Sequence, residues 1–335
     1  MSLVLASMTD ALLQFLDPAN LAEVFIDGLS KSALYVMIAA GLTLVFGLMG
    51  VLNFAHGALT MIGAYLGGAV FVLLIGEATG DPARLAVFVV AVLVVFGLLA
   101  GLGGAVEAKL IRPLYDRPPI YQILLTFGVA LVLEEVVRIA TLFYGIQPRA
   151  DWQAAFGTRP DVLRQSLDLG VVSPTGLQLF EIAVGALVIG SVWAFLTRTR
   201  YGLIIRAGSE DAEMTEALGI DVRRVFTVVF ALGTGVAGVA GVLLAWDLTW
   251  GASVPLAAET LLPAFVVVII GGLGTFRGTV YAGVLVGMVD AVMTWWYVNA
   301  VRFTGLPEMT VFLLLVLVLI VKPQGMFGVE EVGGH

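Results

Sequence analysis

SALYVMIAAGLTLVFGLMGVLNFAHGALTMIGAYLGGAVFVLLIG, residues 32–76, is a run of 45 residues without a single Asp, Glu, Lys or Arg. As one continuous helix it would extend about 68 Å, roughly twice the ~30 Å hydrocarbon core of a bilayer. The run therefore reads as two membrane crossings that turn near Gly50-Val-Leu-Asn53-Phe54-Ala55-His56-Gly57. Outward from it lie further apolar segments at 85–106, 120–143, 179–196, 225–246, 261–271, 279–297 and 309–321. The segment 261–271 is short for a crossing and reads as half of a discontinuous helix. Together they describe an all-α polytopic integral membrane protein of about 8–10 transmembrane helices, some of them short or broken.

Composition agrees. Of 335 residues, 60% are hydrophobic and 13% charged, against roughly 45–50% and 25% in soluble domains. A soluble fold would have too few polar side chains to cover its surface, which excludes an ordinary cytosolic enzyme and a disordered chain. Seventeen Lys+Arg against twenty-five Asp+Glu give a net charge of −8, so there is no basic surface to attract nucleic acid. No cysteine occurs, which removes disulfides, thiolate metal sites and cysteine nucleophiles. The first residues, MSLVLASMTDALLQFL, lack a basic n-region and do not read as a cleaved signal peptide. No soluble domain or long linker interrupts the pattern, so residues 1–335 read as one transmembrane domain.

Lys and Arg in the short loops set the orientation. Residues 107–118 carry Lys109, Arg112 and Arg117, and residues 197–224 carry Arg198, Arg200, Arg206, Arg223 and Arg224. Both loops read as cytoplasmic. Between them, residues 145–177 hold three Arg and three Asp among Pro and Gly, as expected of an external loop. Four acids and one Lys in the first 32 residues favour an external N-terminus, and Lys322 after the last span places the C-terminus inside.

Much of the chain's glycine falls at helix-packing spacing: Gly63/Gly67, Gly97/Gly101, Gly283/Gly287, and Gly235, Gly238 and Gly241 on one face of a span. Small residues let helix backbones approach closely in lipid. Gly233-Thr-Gly235-Val-Ala-Gly238 matches GxGxxG but lies inside a span with no strand before it, so it is not a dinucleotide site. There is no GxxxxGK[ST], HExxH or GxSxG, and the histidines are His56 and His335. The chain supplies no nucleotide site, no catalytic residues and no metal site of its own.

Two segments share a design, an apolar run broken by glycines and resumed with a small-residue face. The first is 47–68, broken at NFAHG; the second is 265–287, broken at Gly271-Gly272-Leu-Gly274-Thr-Phe-Arg-Gly278. In transporters such breaks line a cavity or contact protein. Asn53 is placed to cap the helix that follows, with His56 in its first turn. The candidate substrate pathway is Asn53, Phe54, His56, Gly57, Gly271, Gly272, Gly274 and Asp290. Among intramembrane charges, Glu134 and Arg138 have the i,i+4 spacing of a local pair, whereas Asp290 has no partner nearby in sequence. Asp247 and Glu259 bracket a Pro-containing stretch expected near the outer surface.

The most informative polar segment is Arg206-Ala-Gly-Ser209-Glu210-Asp211-Ala-Glu213-Met-Thr-Glu216-Ala217-Leu218-Gly219. Ser209 is placed to cap a helix with acids in its first turn and Gly219 to stop it. A helix of about ten residues is not stable alone in water, so it is expected to dock on something.

Here the sequence resembles a known family. Acids, Ala and then Ala217-Leu218-Gly219-Ile resemble the coupling loop of ABC importer permeases. Leu52-Asn53-Phe54-Ala55-His56-Gly57, Met61-Ile-Gly-Ala-Tyr65, Ile269-Ile-Gly271-Gly-Leu-Gly274-Thr-Phe-Arg-Gly278 and Lys322-Pro-Gln-Gly325-Met-Phe-Gly328 are similar, in order, to blocks of the branched-chain amino acid permeases. One departure is Ala58, where many relatives carry an acid. The resemblance implies a multi-pass inner-membrane permease subunit working with a second homologous permease, two cytoplasmic ATPase subunits and an extracytoplasmic binding protein for leucine, isoleucine or valine. The partner ATPases would use ATP and Mg²⁺, and this chain would bind no cofactor. Coupling to the ATPase would fall to Ser209, Glu210, Asp211, Glu213, Glu216, Ala217, Leu218 and Gly219. Three alternatives remain: a urea or short-amide permease of the same family, an ion-coupled secondary transporter using Asp290 and Glu134, and an assembly subunit with no pathway of its own.

Overall fold

The apolar runs fold as helices whose ends are set by short polar signals. In the computed structural model, residues 2–76, 80–146, 159–210, 212–247, 250–301 and 307–328 are described. The helices are α1 (Ser2–Phe15), α2 (Pro18–Met49), α3 (His56–Leu74), α4 (Asp81–Val106), α5 (Pro119–Phe143), α6 (Gly176–Arg198), α7 (Arg200–Glu210), α8 (Ala212–Ala217), α9 (Val222–Trp246), α10 (Leu256–Gly271), α11 (Phe276–Trp296) and α12 (Pro307–Val321). Among the described residues there is no strand, only an isolated bridge between Ser166 and Thr175.

The Asp17 carboxylate accepts the Ala19 N–H at 2.9 Å and Pro18 opens α2, a favourable start because proline lacks the N–H that a first turn leaves unpaired. Gly50, at φ +64°, ends it in the left-handed conformation that glycine adopts at least cost. Thr175 and Gln178 form a reciprocal cap at the head of α6. α4 runs on into a π-helical turn (Glu107–Ile111) and a 3₁₀ turn (Arg112–Leu114).

Among the described residues, six helices are long and apolar enough to cross a membrane, and α10 and α12 are shorter apolar helices. The chain is therefore a multi-pass membrane protein. α2 and α9 form the centre: 83% of each apolar window is buried, against 22% in α4 and α6. α2 lies along α11 and against α9, and α9 packs on α2, α3 and α4.

Glycines make these approaches possible. A Cβ at Gly41 would meet the Gly233 carbonyl, one at Gly63 would lie 2.5 Å from the Gly238 carbonyl oxygen, and one at Gly241 would meet the Thr60 carbonyl. Gly67, Gly283 and Gly287 close on Val242, Val36 and Ser32. The GxGxxG run is thus a helix-packing surface inside continuous α9. Gly97 and Gly101 differ from expectation. Both are exposed with nothing within 4 Å, so this pair packs against nothing within the described chain.

The two basic loops lie at one end of the bundle, where Arg112 meets Arg223 and Thr227. The other end is closed by a ring cluster in which Phe71 stacks on Phe88 and Trp246 and Phe180 meets Phe88 edge-on. There the segment after residue 159 folds on itself and is held by Asp81, which accepts from the Asp161 and Val162 N–H groups.

Candidate functional site

The first break carries the chain back into the bundle. After Gly50 the backbone is non-helical until His56, whose Nε2 lies 2.8 Å from the Ile38 carbonyl. Ile38 is eleven residues before the end of α2, so the imidazole sits about 16 Å inside that end. Ala55 holds the cap position of α3 and supplies no side-chain cap. Asn53 does not cap the helix. Its Oδ1 accepts the Ala55 N–H at 3.0 Å, closing a turn two residues upstream, and this corrects the capping role expected from sequence. Asn53 and His56 are fully buried, yet Asn53 Nδ2 and His56 Nδ1 have no hydrogen-bond partner among the described residues. An unpaired buried polar group costs about 1–3 kcal/mol, so the break holds two unmet polar atoms.

Phe54 is held from both sides. Its N–H donates to Thr126 Oγ1 on α5 at 3.2 Å, and its ring lies 5.0 Å from that of Phe265 on α10. Thr126 Oγ1 also lies 3.3 Å from the Leu52 carbonyl.

A second inward segment was not apparent from sequence. α9 ends at Trp246, which stacks on Phe71 at the opposite end of the bundle. α10 starts at fully buried Leu256, and a Cβ on Gly57 would meet the Ala257 carbonyl and the Leu261 Cβ. Gly57 is fourteen residues before Phe71 on α3, so the chain from Trp246 to Ala257 descends about 21 Å. The stretch between Asp247 and Glu259 is expected near the outer surface; instead its described residues 250–259 lead into α10 in the interior. The starts of α3 and α10 therefore meet inside the bundle, approached from opposite ends. Ser253 Oγ on the way is a further buried atom without a partner. Gly251, at φ +59°, and Pro255 next to the start of α10 are the sequence signals for this second break.

The second glycine-rich break is closed by packing. Gly271 lies on Gly278, Gly274 on Gly47, and Gly272, at φ +95°, on the Gly328 backbone. The tail returns over it: Met326 N–H donates to the Ile270 carbonyl at 2.7 Å and Phe327 N–H to the Gly271 carbonyl at 3.2 Å. Lys322 Nζ closes the tail on the Met326 carbonyl at 2.7 Å, and Phe327 stacks on Tyr281.

Asp290, without a partner in the sequence reading, is paired across helices. Lys31 Nζ lies 3.3 Å from Oδ1, Tyr35 donates to Oδ2 at 2.6 Å, and Thr294 donates to Oδ1 at 3.0 Å. On α5, Arg138 pairs with Glu135 at 3.4 Å and not with Glu134, and both paired side chains are more than half exposed. The exposed faces of α4, α6 and α12 carry residues such as Leu93, Leu187 and Leu317 instead.

At the basic end, the coupling segment is two helices. Thr199 Oγ1 accepts the Gly202 N–H at 3.0 Å, so α7 starts at Arg200 and Ser209 falls in its last turn rather than at a cap. Glu210 is the final residue of α7, Glu213 and Glu216 are in α8, and Ala217 ends it. Asp211 lies outside the described residues. Glu216, Ala217 and Leu218 are exposed, and Gly219, at φ +82°, turns the chain toward α9. Ile205 and Thr215 are buried, so the pair is docked on the bundle with one face open.

An all-helical membrane bundle whose broken helices meet in its interior, with a docked amphipathic pair at one end, defines a permease-type transport subunit. The chain belongs to the family of branched-chain amino acid transport system permease components, whose model matches residues 24–322. It is 28% identical over 315 residues to the high-affinity branched-chain amino acid transport system permease protein BraD of Pseudomonas aeruginosa, covering 92% of this chain and 95% of that one. It is 28% identical over 319 residues to LivH of Escherichia coli K12, covering 91% and 95%. A probable LivH of Methanocaldococcus jannaschii is 25% identical over 304 residues, covering 89% and 90%. Among solved structures, PsaBC from Streptococcus pneumoniae in complex with Fab overlaps at a TM-score of 0.44 and 14% identity, covering 90% and 92%, too loosely to carry an argument.

Proposed function

We propose that this permease moves branched-chain amino acids across the cytoplasmic membrane, driven by ATP hydrolysis in two partner subunits and supplied by an external binding protein. Family membership over residues 24–322 supports the substrate class. The observation that carries the mechanism is the interior meeting of α3 and α10, with Asn53 Nδ2 and His56 Nδ1 buried and unpaired beside it. Polar atoms without partners in a dry interior are costly, and a polar substrate passing the break would satisfy them. The pathway residues are Asn53, Phe54, His56 and Gly57. Gly271, Gly272 and Gly274 take packing roles instead, and Asp290 ties α11 to α2 through Lys31 and Tyr35.

A second permease subunit covers α5. Glu135 and Arg138 lie about 12 and 8 Å from the last residue of α5, exposed in the single chain. Ionised groups at that depth face protein or water, not lipid. The basic end is cytoplasmic by the distribution of Lys and Arg, which puts the C-terminal tail inside and residues 159–175 on the face that meets the binding protein. There α7 and α8 engage the ATPases, and Glu216, Ala217, Leu218 and Gly219 present the open surface.

Uptake by purified components in proteoliposomes tests this reading. Accumulation of labelled leucine, isoleucine or valine is expected only with ATPase subunits, ATP and binding protein together. Uptake by this chain alone under a proton or sodium gradient would support an ion-coupled carrier, and uptake of urea by the full assembly would reassign the substrate.

A further inference from the structure

Just beyond α4, a carboxylate lies fully buried at the basic end of the bundle. Glu107, the first residue of the π-helical turn, is 0% exposed. Arg112 Nε donates to its Oε1 at 3.2 Å and Arg112 Nη2 to its Oε2 at 2.9 Å. Tyr115 donates to Oε1 at 2.6 Å, and Thr227 on α9 donates to Oε2 at 2.7 Å. Arg112 Nη2 also reaches Thr227 Oγ1 at 2.6 Å, and the Tyr115 ring meets Phe226 of α9 edge-on at 5.3 Å. Burial, reinforced by the Glu107 carboxylate that its O–H bonds, holds the Tyr115 phenol well above its ordinary range.

The cluster spans two parts of the chain that sequence keeps apart. On one side are the first turns of α9, capped by Asp221 four residues beyond the end of α8. On the other is the turn joining α4 to α5. From there contacts continue: Gln122 Nε2 donates to the Leu114 carbonyl at 3.1 Å, and Thr126, one turn further along α5, touches both Leu52 and Phe54. A π turn is a common site of functional adjustment in a helix. Coupling between distant sites travels through such packed, hydrogen-bonded elements when they move together.

We propose that the Glu107–Arg112–Tyr115–Thr227 cluster is a mechanical joint that makes the α4–α5 turn move with the coupling helices and so transmits the ATPase stroke to the break at Leu52–Phe54. The inference rests on the coupling role given above to α7 and α8. These are positioning residues, since none need touch substrate or nucleotide.

The test uses the full transporter in proteoliposomes. Glu107→Gln and Thr227→Val break the joint at its centre and its α9 side, and Tyr115→Phe removes one hydrogen bond while keeping the ring against Phe226. Each variant is expected to purify with its ATPases and to retain basal ATP hydrolysis. Substrate moved per ATP hydrolysed should fall about tenfold in Glu107→Gln and about threefold in Tyr115→Phe, an outcome that a purely structural loss of protein would not give. Since the chain has no cysteine, spin labels at Arg117→Cys and Arg200→Cys report the geometry directly. Their separation should stay within about 2 Å between nucleotide-free and ATP-trapped states, and vary by about a helical turn once Glu107→Gln is added.

Full stoichiometry in all three variants, or a helical-turn change with the joint intact, overturns the proposal. Charge reversal at Glu216 separates the two readings. If that change uncouples the transporter and the joint variants do not, the joint alone is wrong. If neither does, the coupling role of α7 and α8 falls as well.

Discussion

The breaks at 50–55 and 271–278 look alike in sequence, each an apolar run interrupted by glycines, and the fold uses them in opposite ways. The second is a turn at the basic end whose backbone is paired: the returning tail donates to Ile270 and Gly271, and its glycines are filled by Gly47, Gly278 and Gly328. The first climbs into the bundle and ends with an amide and an imidazole nitrogen unpaired in full burial. Glycine content shows where a backbone can bend or approach closely. Whether the polar groups exposed by that bend are satisfied shows whether the bend serves packing or passage.

Substitutions in the two breaks should therefore separate transport from stability. The largest effect is expected at Gly57→Val, where the added side chain overlaps the Ala257 carbonyl and forces α3 from α10; uptake should fall more than 100-fold with some loss of membrane abundance. His56→Leu and Asn53→Ala should each reduce uptake about tenfold at normal abundance. Asp290→Asn leaves Tyr35 without its carboxylate and Lys31 paired with Asp27 alone, at 3.4 Å. With Lys31 a quarter exposed, the loss should be about 2 kcal/mol, below the value for a fully buried pair, with uptake per molecule within twofold of normal. Gly272→Ala places a Cβ at φ +95° against Gly328 and should cost about 1–3 kcal/mol, read as faster proteolysis of the tail, with transport unchanged. Equal transport defects at Gly272 and His56 would abolish the distinction between the breaks.

Apolar run length was enough to locate the helices, because a span must be long and uncharged whatever it packs against. The break at Asn53–Gly57 was legible for the same reason, as a polar interruption within a 45-residue uncharged run. The segment after Trp246 was not. Asp247, Trp250, Pro255 and Glu259 have the composition of a surface loop, and only contact between Ala257 and Gly57 reveals the descent. Pairings across the bundle were equally hidden: Lys31 lies 259 residues from Asp290, and Thr227 lies 120 from Glu107. Local spacing also misled. Glu134 and Arg138 had helical register, yet Arg138 turns to Glu135. Ser209 was a reasonable cap, but Thr199 had already begun the helix ten residues earlier.

Phe54, gripped by Thr126 and Phe265, offers the most direct test of passage through the first break. With a single Phe54→Cys in this cysteine-free chain, the rate of modification by a membrane-impermeant thiol reagent can be followed in the assembled transporter. ATP-trapped and nucleotide-free states are expected to differ at least about tenfold in that rate, as the break opens to one side and then the other. Equal rates in both states, with the transporter still active, would contradict it.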